Sequence, residues 1–261
     1  MEVPEFRFLN TPEAITAATG EIAGEAVVAF DLEADSLHSY VEKVCLIQLS
    51  TSLGNLIIDP LPSLEPLQGL AALFADEGVL KIFHGGSYDI RLLKKDFGFT
   101  VRNIFDTMIA SQFAGRGKHG LAALLEEDFG VTLDKRYQRA DWSARPISPE
   151  MLQYASMDTA YLIELRNRLE EELRRLGRLE WAREEFRLLE ETEPSPRKKP
   201  WCLDVKGARR LTPRQLAFLQ AFLEVRDETA RRWDRPPFKV LSNQVLLGWS
   251  QQPPAAKEDV L

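Results

Sequence analysis

The stretch EAVVAFDLEAD, residues Glu25–Asp35, opens as an apolar, β-branched run and closes in acids. It reads as a buried strand. Side chains two apart on a strand project to the same side, so Asp31 and Glu33 stand together at its end. Like charges that close cost energy unless a cation lies between them. In a chain with 40 Asp and Glu such a spacing is common. The apolar strand running straight into the pair is what singles this one out.

The pattern continues outward. KVCLIQLST (Lys43–Thr51) and GNLIIDP (Gly54–Pro60) read as two more strands of a meander, stopped by Pro60 and Pro62. SLEPLQGLAALFADEG (63–78) reads as a helix with Leu64, Leu67, Leu70, Leu73 and Phe74 on one face. VLKIFHG (Val79–Gly85) is a fourth strand, and SYDIRLLKKDFG (Ser87–Gly98) a helix with Ser87 as N-cap and Gly98 as C-cap. NIFDTMIASQF (103–113) passes from a short strand into a helix, and GLAALLEEDFG (120–130) is another helix. Residues 148–177 predict one long helix, capped by Ser148 with Pro149 in its first position, and LEWAREEFRLLEET (179–192) predicts one more. Strands first, then strands alternating with helices, predict an α/β domain on a mixed central sheet flanked by helices.

EPSPRKKPW (Glu193–Trp201) reads as a linker. Beyond it, Leu211–Asp234 predicts a strong helix capped by Thr212, and Ser242–Ser250 a short second one, before the tail QQPPAAKEDVL. The expected division is a domain at 1–193, a linker at 194–210 and a small all-helical segment with its tail at 211–261.

Composition narrows the chemistry. Of 261 residues 44% are hydrophobic and 28% charged, which is ordinary for a globular protein. No apolar run approaches membrane-spanning length, and the first residues do not resemble a secretory signal. Two distant cysteines, Cys45 and Cys202, fit a reducing cytoplasm and no zinc site. With three histidines, any metal ligands must be mostly carboxylates. The net charge of −7 is uneven: residues 1–100 carry −9, and Arg197–Lys239 carries +7.

Two further acids join the pair. Asp89, in HGGSYDI, falls in the first turn of a helix, where the helix dipole favours a carboxylate. Tyr154 and Asp158, four apart in YASMD, share one helix face. Each placement alone is ordinary. Together, four acids and no histidine cluster suit hard ions, Mg or Mn, and two such ions can hold the attacking and leaving oxygens of a phosphoryl transfer.

DLEADS, HGGSYDIRLL and YASMDTAYL resemble the three exonuclease motifs of the DEDD superfamily in its DEDDy branch. FDTMIASQF and the run from Gly120 to Leu162 between the motifs resemble ribonuclease D, so that the likeness covers about residues 25–170. The resemblance implies a ribonuclease-H-like exonuclease fold. It implies that Asp31, Glu33, Asp89 and Asp158 bind two divalent ions, Mg or Mn. Tyr154 then orients the attacking water or helps deprotonate it, and nucleoside 5′-monophosphates leave from RNA 3′ ends in tRNA processing or RNA turnover. Leu32, His84 and Arg139 match positions where substrate contact is expected, and the Gly85–Gly86 pair lets the terminal nucleotide approach. Asp106 reads as a supporting residue. Residues 211–249 resemble the opening helices of an HRDC domain, a small nucleic-acid-binding module. Two alternatives stay open: a 3′–5′ nuclease of the Werner type acting on single-stranded DNA, and a non-catalytic nucleic-acid-binding protein on the same fold.

Overall fold

A computed structural model describes residues 4–62, 67–194 and 198–253. The described chain divides into two units, Met1–Ala34 with Lys43–Pro194, and Asp35–Glu42 with Ser195–Leu261.

The first unit opens with β1 (Phe6–Leu9) and α1 (Pro12–Ile22), whose N-cap Thr11 accepts from the Ala14 amide. Neither element was assigned from the sequence. The central strand β2 (Val27–Ala34) alternates with period two: Val28, Phe30 and Leu32 enter one core, and Ala29 enters the other. The meander is present as β3 (Val44–Thr51) and β4 (Gly54–Ile58). The helix expected from residue 63 is α2, Gln68–Ala75; Leu64 lies outside the described residues. Then come β5 (Leu80–Phe83), α3 (Ser87–Phe97), β6 (Ile104–Asp106), α4 (Thr107–Ala114) and α5 (Leu121–Phe129).

The six strands form one sheet in the order β1-β4-β3-β2-β5-β6. β2 runs antiparallel to β3 and parallel to β5, so the sheet is mixed. Helices α1, α2 and α3 cover the face that receives Phe30 and Ile47. The other face receives α6 (Pro149–Ala160), α7 (Leu162–Arg175) and α8 (Leu179–Glu190). This is the α/β architecture that the sequence predicts.

Two local expectations are corrected. The long helix of residues 148–177 is two helices, broken at Tyr161 (φ −106°, ψ −3°). Leu152 and Ala155 of α6 pack with Leu46 and Ile57, whereas Leu165 and Leu169 of α7 pack with Ala29 and Ile82. One straight axis cannot serve both cores. Ser87 does not cap α3 either; Gly86 is the N-cap, and among the described residues no side chain caps the helix.

In the second unit, α9 (Pro213–Arg232) carries a full capping box between Thr212 and Gln215, and α10 (Pro237–Val240) and α11 (Asn243–Gln251) follow. α10 stands where a simple break was expected. Leu219, Leu223 and Leu246 close a small core with Cys202 and Val205. The loop Asp35–Glu42 belongs to this unit: Tyr40 donates its hydroxyl to Asp227 (2.8 Å) and its amide to Asp234 (3.0 Å). The end of the predicted tail, 254–261, lies outside the described residues. Among the described residues no helix is long and apolar enough to cross a membrane.

Candidate active site

Three elements of the first unit bring the acids together. Because β2 and β5 are parallel, the end of β2 and the start of α3, just past β5, lie at the same end of the sheet. Asp31 and Glu33 end β2, Asp89 sits in the first turn of α3, and α6 crosses β2, β3 and β4 carrying Tyr154 and Asp158.

The electrostatics show the proximity. Burial raises the Asp31 carboxyl to about 7. Burial, then Asp31, Asp158 and Asp89, raise Glu33 well above the usual carboxylate range. Burial and then Asp31 raise Asp89 and Asp158 likewise. Asp31 is thus the common neighbour. Among the described residues, none of the four forms a salt bridge, and no cation offsets their charge. The phenol of Tyr154 is pushed up by burial and then by Asp158, Glu33 and Asp31, so it keeps its proton. Its ring stands 5.8 Å from Tyr137, edge-on, and 6.0 Å from Trp142.

Four hard oxygen donors without counter-charge fit a divalent cation of the Mg or Mn type. Among the described residues, no three His, Cys, Asp or Glu side chains are already grouped to grip one ion.

The turn into α3 is held by Asp106. Its fully buried carboxylate accepts from the amides of Gly85 (3.1 Å), Gly86 (2.8 Å), Met108 (2.9 Å) and Ile109 (3.0 Å). Asp106 therefore caps α4 and fixes the turn that aims Asp89. The two glycines are needed by the turn itself. Gly85 has φ +72°, and a Cβ on Gly86 would lie 2.6 Å from that of Phe83.

The remaining expected contacts fare differently. Leu32 alternates to the opposite face and is 8% exposed in the core, away from the carboxylates. His84 shares a 2.9 Å hydrogen bond with Thr107, whose hydroxyl donates to the Phe83 carbonyl, so the ring braces the strand end. Burial holds its imidazole below the ordinary value, against Asp106. Arg139 is exposed in the loop before α6 and does not line the cavity beside Tyr154 and Asp158. That cavity, about 200 Å³, is lined instead by Arg136, Tyr137, Gln153 and Met157. Arg136 and Tyr137 come from the loop before α6 and Gln153 and Met157 from α6 itself, and a loop closing on a helix face leaves no periodic trace by which to single them out. The loop is anchored by Arg145, which grips buried Asp59 with two bonds (2.6 and 2.8 Å) and donates to the carbonyls of Cys45 and Trp142.

Residues 6–174 match the 3′–5′ exonuclease family, and residues 215–261 match the HRDC domain. The chain belongs to the 3′–5′ exonuclease family. This exonuclease-family chain is 34% identical to the exosome complex component 10 homolog of Caenorhabditis elegans, over 94% of its own length and 29% of that protein. It is 32% identical to the ribonuclease D of Acidiphilium cryptum, over 98% of its length and 65% of that protein. Among solved structures, the catalytic core of RRP6 from Trypanosoma brucei superposes with a TM-score of 0.91 at 32% identity, covering 100% of this chain and 76% of that one. Brucella melitensis NrnC with bound Mg2+ superposes at 0.60 with 26% identity, covering 80% and 96%. The mixed sheet and flanking helices are the ribonuclease-H-like exonuclease fold.

Proposed function

We propose that this protein is a divalent-metal-dependent 3′–5′ exoribonuclease of ribonuclease D type, acting on RNA 3′ ends in tRNA processing or RNA turnover in the cytoplasm. The observation that carries this reading is the meeting of four carboxylates from β2, α3 and α6, with no counter-cation among the described residues, beside a protonated tyrosine. Family membership and the likeness to ribonuclease D and RRP6 support it. In this reading the exonuclease domain is 1–193, the linker 194–210 and the HRDC-like segment 211–261.

Asp31, Glu33, Asp89 and Asp158 would hold two Mg or Mn ions. Such ions, when bound, supply an activated water and neutralise charge growing on the scissile phosphate. The chain's own residues do the rest. The phenol of Tyr154 hydrogen-bonds and orients the water. The Asp106-braced turn keeps Asp89 in place. The cavity beside Tyr154 and Asp158 receives part of the 3′ end. Water adds to the terminal phosphodiester, and a nucleoside 5′-monophosphate leaves while the shortened chain keeps a 3′ hydroxyl.

The test is digestion of 3′- and 5′-labelled RNA and single-stranded DNA with Mg or Mn, beside EDTA and Asp31→Ala controls. A metal-dependent ladder from the 3′ end, faster on RNA and absent in the variant, is expected. Faster cutting of DNA would make the protein a deoxyribonuclease. No cutting by folded protein would leave a nucleic-acid-binding role.

A further inference from the structure

β3 is buried along its whole length and is otherwise built as core, yet it carries an amide, Gln48. Gln48 is 0% exposed, and among the described residues neither its Nε2 nor its Oε1 has a hydrogen-bond partner. A buried amide without partners costs stability, and native interiors rarely keep one without reason. Methionine or leucine would fill the same volume at no such cost.

Its place in the sheet suggests the reason. In the antiparallel β2–β3 pair, Asp31 stands directly opposite Gln48. Directly opposed residues point to the same face, with Cβ atoms about 4.5–5.5 Å apart. The neighbours on β3 identify that face. Leu46, two residues before, packs with Leu152 and Ala155 of α6. Ser50, two residues after, donates to Thr159 of α6 at 2.7 Å, the residue next to Asp158. Gln48 therefore lies beside Asp31 and under α6, between the positions that pack on Ala155 and on Thr159. Asp31 is the carboxylate that all three other acids feel.

We propose that Gln48 is a positioning residue of the carboxylate centre: its amide N–H groups hold the Asp31 carboxylate in the orientation that a divalent ion needs. This rests on the reading of the four acids as a metal site. The structure shows no hydrogen bond between Gln48 and Asp31. With a divalent ion held by the four acids, the Gln48 amide would donate to the Asp31 carboxylate, directly or through one water. Two donors on Nε2 suit a carboxylate whose other oxygen faces a cation, and no apolar residue can replace them.

The test uses the full chain, stripped of metal, as wild type, Gln48→Met and Gln48→Leu. Three quantities are measured: Mn2+ affinity by calorimetry, the melting temperature without metal, and kcat and KM for 3′-end release from RNA. Both variants are expected to melt at or above the wild-type temperature. Mn2+ affinity should fall about 10- to 100-fold, the usual effect of losing a residue that supports a metal ligand. kcat should fall while KM for RNA holds. Gln48→Asn, which keeps a shorter amide, should recover part of the Mn2+ affinity. Folded variants that bind Mn2+ within twofold of wild type would overturn the proposal. So would variants that lose stability and Mn2+ affinity together, with Asn no better than Leu, since that is the signature of a packing role. Wild type that neither binds Mn2+ nor cuts RNA, with the fold intact, would overturn the metal-site reading itself and this role with it.

Discussion

At the scale of single residues, the site is a set of charges that destabilise the protein that carries them. Asp31 has its carboxyl raised from 3.8 to about 7. The folded state therefore binds the proton more tightly than the unfolded state. The stability this contributes is full below about pH 4 and is lost as the pH rises through about 7. Asp31→Asn should accordingly raise the melting temperature at pH 8 by a few degrees, with little change at pH 4, while abolishing exonuclease activity. Scanning calorimetry at the two pH values checks the first half, and oligonucleotide digestion the second. A variant less stable than wild type at pH 8 would contradict this account. Tyr154→Phe, by contrast, should keep the fold and Mn2+ binding and lower kcat about 100-fold or more, because it removes only the oriented hydroxyl.

At the scale of elements, the supports of the site are tight turns and anchors. The turn between β5 and α3 has no room for a side chain at Gly86. Gly86→Ala should destabilise by roughly 1–3 kcal/mol, measured by urea unfolding, because Phe83 or the turn must move. The loop before α6 hangs on the Arg145–Asp59 pair, in which Asp59 is 3% exposed. Arg145→Met leaves that carboxylate buried without its cation, at a cost of roughly 3 kcal/mol. It should also loosen the Tyr137 and Trp142 packing on Tyr154, visible as a change in tryptophan fluorescence. Unchanged stability would mean that the loop is held elsewhere. The break at Tyr161 belongs to this scale too: α6 and α7 part because they serve different cores.

At the scale of the whole molecule, a net charge of −7 opposes an RNA partner, and the acids of the site add to the opposition. Divalent ions change both terms. Mg2+ or Mn2+ should raise the melting temperature, by an amount equivalent to about 2.7 kcal/mol at 100 times the dissociation constant, and EDTA should reverse it. Without metal, binding of a short single-stranded RNA should be weak and fall steeply between 50 and 200 mM salt. Filter binding with and without Mn2+ measures this; metal-free binding that ignores salt would argue against phosphate contacts. The +7 segment Arg197–Lys239 is where such contacts would concentrate.

Much was legible in the chain alone. The apolar run into Asp31 and Glu33, the helix start at Asp89 and the four-residue step from Tyr154 to Asp158 are local patterns, and local patterns carry through to β2, α3 and α6. Glycine and capping residues likewise marked Gly98, Gly130, Ser148 and Thr212, because backbone geometry at a helix end depends on the residue there. What only the tertiary structure decided is which side chains meet. The strand period sends Leu32 to the far face, yet only the packing of α6 shows which face holds the site. The cavity lining of Arg136, Tyr137 and Gln153 depends on a loop folding onto a helix, anchored across the chain at Asp59. Gln48 stands in the sequence as one amide within an apolar stretch; the register that sets it opposite Asp31 is a property of two strands together. Spacing along one element is written in its own residues, whereas contact between elements is decided by packing that no single stretch contains.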